Sequence, residues 1–558
     1  MSTSRNLVLG CARPFDQRLL LTRLATALLG CSVLTTVQAF DFDTGNKDLK
    51  VRFDTNVKYS NAWRVKDRQS KLTADANLDD GDRNFSKGMI SNRLDLFSEF
   101  DLSYQKVGMR VSGAAWYDEV YNRGTDNTSP QTVNSYTVRY DQFTRGTRNL
   151  HGREAEFRDA FVYANYDLGD EMWGVSRLGQ HSLIYGESLF FGSNGIAAGQ
   201  QPIDAVRALT VPNSQFKELG LPVKQFSTQL QVTPTVSVGG YYQFEWKRTR
   251  IPGAGSYFSP ADLLDTGGER IVVERFPDGV PAASFYRGRD IEARNNGQWG
   301  TQLRYRSEAL DTDFGLYAIN YHDKDFQTQL RPGLNAGGRP DKIGEYELVF
   351  AEDIRAYGFS ATRGFGDVNV AFETSVRDNA PLVSLTVTDL TGDHNNHNNP
   401  LYAVGRTAHA QANMIYIMPT GSFWDTATLM AELAWNRTLS IQKNRENLDP
   451  NSTRDATAVR VAFTPTYFQV MDGIDLTVPM GFSYGIDGRS SAVGGFSQAK
   501  GGDYNLGVSA EYLKSVTFTL AYNGYYGPSG PINIDGIRTF KQTNADRDFV
   551  SFSVSHTF

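Results

Sequence analysis

The last eleven residues, Asp548–Phe558, read DFVSFSVSHTF. Val550, Phe552, Val554 and Phe558 fall on one face, and Ser551, Ser553, Ser555 and Thr557 on the other. A period of two marks a β-strand. In a water-soluble sandwich the apolar face would meet a core. A strand of about 9–11 residues, apolar outside and polar inside, is also what crosses the outer membrane of a Gram-negative bacterium. The rest of the chain decides between the two.

The alternation recurs upstream. Val516, Phe518, Leu520 and Tyr522 oppose Thr517, Thr519, Ala521 and Asn523, and Leu506, Val508, Ala510 and Tyr512 oppose Asn505, Gly507, Ser509 and Glu511. Near the start, Val51, Phe53, Val57, Tyr59 and Trp63 oppose Arg52, Asp54, Asn56, Lys58 and Ser60. A face that stays polar over this many strands requires water or ligand against it, so the pattern predicts a closed sheet with a wetted lumen.

Strands are expected near 49–65, 88–105, 107–121, 155–168, 173–185, 223–233, 235–250, 297–308, 312–322, 345–363, 367–378, 405–418, 424–440, 457–470, 474–486, 503–514, 516–526 and 547–558. The expected fold is all-β: a single large antiparallel transmembrane β-barrel of about 18 strands. Connections alternate long and short, as in barrels with short periplasmic turns and long outer loops, and an even count places both termini in the periplasm. No repeat of propeller length interrupts this order. Aromatic residues gather near strand ends: Tyr59 and Trp63, Trp116 and Tyr117, Tyr242 and Trp246, Trp424 and Trp435, Tyr525 and Tyr526. This predicts interfacial girdles, with ordinary packing of rings on a sheet as the alternative.

Composition agrees. The chain has 558 residues, 27 Tyr, 52 Gly and a mean hydropathy of −0.41, which excludes a spanning helix beyond the N-terminus. Residues 1–39 read as a secretory signal: Arg13, Arg18 and Arg23, an apolar run Leu24–Leu34, then Val37-Gln38-Ala39 as a small-residue cleavage site. The mature barrel would then be residues 40–558. Leu28-Leu29-Gly30-Cys31 offers a rival lipoprotein site. Both cysteines, Cys11 and Cys31, lie in this segment, so cleavage after Ala39 leaves no thiol for a disulfide or a thiolate metal site. The segment carries four Arg and one Asp, and its removal takes the net charge from −6 to −9. That acidity argues against nucleic acid as a partner. Membrane lipid is the expected surrounding.

The inward positions hold charges of both signs. Arg93, Asp95, Glu99, Arg110, Glu245, Arg304, Arg306, Glu373 and Arg377 are candidate lumen-lining residues. They would form either a solvated, salt-bridged wall or a selectivity ring. Arg304 and Arg306, two residues apart, could steer an anion. The third long loop, Gly186–Pro222, is apolar for a surface loop, and Leu189, Phe190, Phe191 and Ile196 are its candidate constriction residues. Exposed, such a stretch would be a liability; folded into the barrel, it would narrow the passage and favour an apolar solute. Packing on other outer loops, or a partner site, are its alternatives.

Other chemistry is sparse. Asp75–Asp82 is dense in oxygen ligands, but its glycine falls one position late for an EF-hand, so an acidic outer loop is expected. Asp393, His394 and His397 read as part of an Asn-rich loop. No G-x-S-x-G, H-E-x-x-H or P-loop occurs, and no cofactor or metal is expected. His181 and His409 fall on or near lumen-facing positions, the slender basis for a barrel hydrolase.

Three stretches resemble a known family. FDFDTGNKDLKVRFDTNVKYS (Phe40–Ser60), DDGDRNFSKGMISNRLDL (Asp79–Leu96) and GESLFF (Gly186–Phe191), with the final strand, are similar to domain-of-unknown-function family 1302 of proteobacteria. The resemblance implies a Gram-negative envelope protein, often beside a lipoprotein-like partner and a resistance-nodulation-division type exporter, and hence hydrophobic cargo. It carries over no catalytic residue. The terminal strand ending at Phe558 resembles the signal read by the barrel-assembly machinery. The functional expectation is an outer-membrane barrel that passes or loads a small hydrophobic or amphipathic molecule. Its alternatives are a plugged barrel that docks or anchors a periplasmic partner, and the barrel hydrolase.

Overall fold

The computed structural model describes residues 40–169, 171–212 and 216–558. The expected signal segment, with Cys11 and Cys31, lies outside them. Eighteen strands form the wall: β1 (Leu49–Arg64), β2 (Gly88–Tyr104), β3 (Val107–Asp118), β4 (Arg153–Asp167), β5 (Trp173–His181), β6 (Val223–Thr233), β7 (Val236–Gln243), β8 (Gln298–Ser307), β9 (Thr312–Tyr321), β10 (Ile354–Phe365), β11 (Val368–Pro381), β12 (Val404–Met418), β13 (Thr426–Lys443), β14 (Asp455–Met471), β15 (Ile474–Thr477 continuing as Met480–Gly488), β16 (Gly502–Tyr512), β17 (Val516–Tyr526) and β18 (Phe549–Thr557). Each pairs antiparallel with its neighbours, and β18 pairs with β1, Tyr59 opposite Val554, which closes the ring. Closure gives every wall strand a paired neighbour on both sides over at least part of its length, as a sheet that sits in lipid requires.

The side chains are inside-out relative to a soluble protein. Leu520 is 53% exposed on the outer face while its neighbour Thr519 is 3% exposed, and Ser553 inside β18 is likewise 3% exposed. Around the ring Leu94, Leu303, Leu316 and Leu433 are exposed, whereas Gln225, Thr407, Asn436 and Glu432 are buried inside. Because side chains alternate across a strand, one apolar and one polar set suffices to specify this outer-membrane-type barrel. No helix among the described residues is long and apolar enough to cross a membrane.

Two strands end earlier than the sequence pattern predicts. The expected 173–185 stops at His181, and 235–250 stops at Gln243, because the chain leaves the wall at both points. The expected 345–363 is two elements. Lys342–Val349 belongs to a loop sheet, and the wall strand begins at Ile354 after a turn in which Asp353 has φ +58°. That loop sheet joins Arg270–Arg275, Pro281–Arg287, Gln327–Pro332, Lys342–Val349 and Val387–Thr388, and it belongs to the cap at the long-loop end.

The cap is packed and charged. Phe85, Tyr121, Phe143, Tyr257 and Phe258 form one cluster with Phe549 of β18. Beside it Arg64 holds Asp82 at 2.9 Å and Asp546 at 3.2 Å, and Arg547 holds Asp82 at 3.2 Å, all with buried side chains.

Candidate functional site

The third long loop, described over residues 182–212 and 216–222, does not stay at the mouth. It leaves β5 at His181, crosses the lumen and binds the wall at β11 to β13. The fifth and thirteenth of eighteen strands stand on opposite sides of the ring, so the loop spans it. A backbone in a lumen must find partners for its N–H and C=O groups. Here the wall supplies them. Glu373 accepts the N–H groups of Glu187 and Ile196, each at 2.6 Å. Glu432 accepts those of Leu189 at 3.3 Å, Phe190, and Phe191 at 2.9 Å, with the Ser188 hydroxyl at 3.2 Å. Arg377 does the converse, donating to the carbonyls of Ser193, Asn194 and Gly195, each at 2.9 Å. Asn194 is locked further by His409 (3.1 Å) and Asn436 (3.2 Å). Gly186 has φ +92°, and a Cβ there would strike the Glu373 carboxylate, so the approach requires glycine.

The four apolar candidates separate. Ile196 is 3% exposed among Tyr241, Tyr317, Ile319, Tyr321 and Ile354. Phe191 packs on Phe496 of another long loop, ring centroids 5.4 Å apart. Leu189 and Phe190 stay half-buried, with the Arg460 guanidinium 5.8 Å from the Phe190 ring. Ile196 and Phe191 therefore seat the loop, and Leu189 and Phe190 keep part of their surface exposed. The inward-facing Arg304, 2.9 Å from Glu187, keeps 37% of its side chain exposed.

The model of a family described as protein of unknown function (DUF1302) matches residues 20–558. The chain belongs to the DUF1302 family. Among solved structures this DUF1302 chain is similar to Acinetobacter baumannii OccAB1 (9% identity, 93% of this chain and 98% of that one, TM-score 0.44). It is also similar to the outer membrane channel DcaP of the same organism (10% identity, 94% and 100%, TM-score 0.37) and to Salmonella typhi OmpF in complex with daunomycin (9% identity, 92% and 98%, TM-score 0.34). No curated protein matches it in sequence.

The remaining lumen candidates of the DUF1302 chain take different places. Arg93 and Asp95 form a two-point pair at 2.8 Å, joined by Arg207 of the third loop at 3.2 Å from Asp95, and all three are buried. They anchor the loop and offer no surface to a solute. Arg110 holds Asp101 at 2.7 Å and lies 4.0 Å from Glu99, partly exposed. Arg304 and Arg306 share a face without forming an anion-steering pair. Arg306 is neutralised at the short turn by Asp311 and Asp313, and Arg304 by Glu187. Glu245 lies past the end of β7, between Lys224 and Lys247, and does not line the lumen.

Several girdle assignments also change. Tyr117 and Tyr242 are exposed on the outer face, but Trp116 is buried, donating to the Leu150 carbonyl at 3.1 Å under Arg93 and Arg207. Trp246 lies in a loop cluster and Tyr525 packs on the cap cluster. Inward-pointing aromatic and outward-pointing aromatic look alike in sequence near a strand end, where the register against a loop is not local.

Polar groupings that the sequence leaves apart meet in the cap. Asp79 and Asp80 of the acidic stretch converge with Asp262, and His397 with Glu352 and Asp353. Arg83 pairs with Asp79, and Arg294 with Glu352 and Asp353. His394 binds Asp389 at 2.9 Å instead. His181 Nε2 lies 2.7 Å from the Ser227 hydroxyl, but both are buried and His181 Nδ1 faces the Gly179 carbonyl at 3.1 Å. Among the described residues no carboxylate bonds to the pair.

Proposed function

We propose that this DUF1302 chain is an outer-membrane channel for a small, amphipathic or hydrophobic molecule. The observation that carries the reading is the third loop itself, strung across the lumen with Leu189 and Phe190 half-buried at its tip. The wall around it is charged but internally paired, which keeps the passage wet without a strong field for either ion sign. An apolar lip in a hydrated passage favours solutes that carry some apolar surface. No bond is made or broken in this reading.

Planar-bilayer recording tests it. The intact protein gives discrete openings, and deletion of residues 189–198 enlarges them. Absence of current from both proteins rejects passage.

A second reading is a plugged barrel serving as a docking module. The buried Arg64–Asp82–Arg547 network, which seals part of the cap, favours it. Silent bilayers together with retention of a periplasmic lipoprotein or exporter subunit would select that reading. Phe558, which exchanges backbone hydrogen bonds with Thr55 at 2.8 and 3.3 Å, fits hand-over from the barrel-assembly machinery.

A further inference from the structure

The wall has a step between β4 and β5. The last paired residues there are Ala160 and Gln180. Beyond them Arg153–Asp159 continue upward paired to β3 on one side only, because β5 ends at His181 and the chain turns into the lumen. One side chain stands in for the missing strand: Gln180 Nε2 donates to the Arg158 carbonyl at 2.6 Å and the Phe157 carbonyl at 3.3 Å. The same inward turn that builds the constriction thus opens the wall beside it.

A cavity of about 780 Å³ fills the step. Its lining joins the two sides of the wall. Phe157 points outward and is 76% exposed, while Arg158, next in sequence, is buried and held by the carbonyls of Glu218 and Gly220 in the third loop. Phe157 lies ten residues along β4 from Asp167. At about 3.3 Å per residue and a tilt near 40°, that is roughly 25 Å from the short-turn end, the height of the apolar band of such barrels. Tyr117, paired with Arg153 just above, is an exposed aromatic of the kind found at that interface. The cavity mouth therefore meets the outer leaflet where acyl chains give way to head groups.

The chemistry of the lining is divided. Toward the membrane it offers Phe157, with Leu221 buried behind it. Deeper, the cations are already committed: Arg250 pairs with Glu156, Arg158 with Glu156 at 3.0 Å, Arg248 with Asp265 at 2.8 Å and Glu292 at 2.6 Å, and Lys247 with Glu245 at 3.1 Å. An anionic head would lose water and find no unpaired cation to repay it. A head of hydroxyl groups would find donors and acceptors on every side. We infer that this step is a lateral portal for a neutral amphiphile, its hydrocarbon chain lying on Phe157 in the bilayer and its uncharged polar head in the charged cavity. The inference rests on the channel reading for where the amphiphile goes next, but its binding is measured separately.

The experiment uses the full barrel in phosphatidylethanolamine–phosphatidylglycerol vesicles with a monoacylglycerol bearing a diazirine in its chain. Peptides containing Phe157 are labelled above the rest of the lipid-facing belt. Excess unlabelled monooleoylglycerol removes that excess labelling, and oleate does not. Phe157→Asp lowers it at least fivefold while single-channel conductance stays unchanged. Should Phe157→Asp not assemble, Phe157→Ser serves the same purpose with a threefold loss. Labelling that is even around the belt, or insensitive to both variants, overturns the portal even if the channel conducts. Equal competition by oleate overturns the neutral-head assignment. A silent bilayer with site-specific labelling intact rejects the channel reading and leaves the portal standing as a binding site.

Discussion

Glu432 accepts the backbone N–H of Phe191 at 2.9 Å from the far side of the barrel, and the same carboxylate gathers Leu189, Phe190 and Ser188. Four donors on one buried carboxylate make this the main clamp on the loop tip. Hydrogen bonds to a charged acceptor contribute about 1.5–3 kcal/mol each when the alternative is an unsatisfied group.

Glu432→Gln replaces one acceptor oxygen with a donor aimed at other donors. The loop tip should loosen, seen as noisier and larger openings in bilayers, with the barrel still assembled. Glu432→Ala should go further. Unchanged conductance in both would mean that the loop's other anchors, Glu373 and Arg377 among them, hold it without Glu432.

Leu189 and Phe190 are half-buried, so each can offer a solute only part of its apolar surface. Replacing both with Ser should weaken block of the ion current by a hydrophobic solute on the order of tenfold, about 1.4 kcal/mol, a fraction of the value for full burial of such side chains. Ile196→Ser, by contrast, should disturb loop seating. Dose–response curves of current block separate the two effects.

The cap carries a pH dependence through Asp79, Asp80 and Asp262. Burial raises Asp79 to about 6 and, with repulsion from Asp79, Asp80 to about 7. Burial, then Asp80 and Asp79, raises Asp262 well above its ordinary value. A carboxyl whose folded pKa is raised binds more protons folded than unfolded, so stability falls as pH climbs from about 4 through 7. Burial alone would raise Asp82 too, but Arg547 and Arg64 hold it below its ordinary value, so its opposite contribution is lost only below about pH 4. Hydrogen exchange in residues 75–85, corrected for intrinsic rates, should be faster at pH 8 than at pH 5. Asp262→Asn should flatten the difference.

Asp82 sits between Arg64 and Arg547 with all three side chains buried. Asp82→Asn leaves two guanidinium groups sharing Asp546, and breaking a buried pair in this way costs about 3–5 kcal/mol. Limited proteolysis should then cut within 66–87 and near 257–259, where Arg547 donates to the Tyr257 and Ser259 carbonyls at 2.6 and 2.8 Å. The barrel itself should still migrate as a folded band before heating. Loss of the folded band would show that the network holds the wall and not only the cap.

The pleat is local, and so is what it reveals. Alternation in 516–526 and 548–558 identifies the strands and which face meets lipid, because successive side chains on a strand must point to opposite sides whatever lies around them. Turn spacing then yields the number of strands and the alternation of short turns with long loops. The apolar run Leu189–Ile196 marks the loop unsuited to the surface. What the chain does inside the ring is not local. Phe191 and Glu432 lie 241 positions apart, and their contact depends on closure placing the two strands face to face. Closure likewise turns Trp116 inward under Arg93, leaves Glu245 off the lumen, joins Asp262 to Asp79 and lowers the wall beside Phe157. A loop buried among polar walls settles where its N–H and C=O groups are best satisfied, and only the assembled ring determines which groups those are.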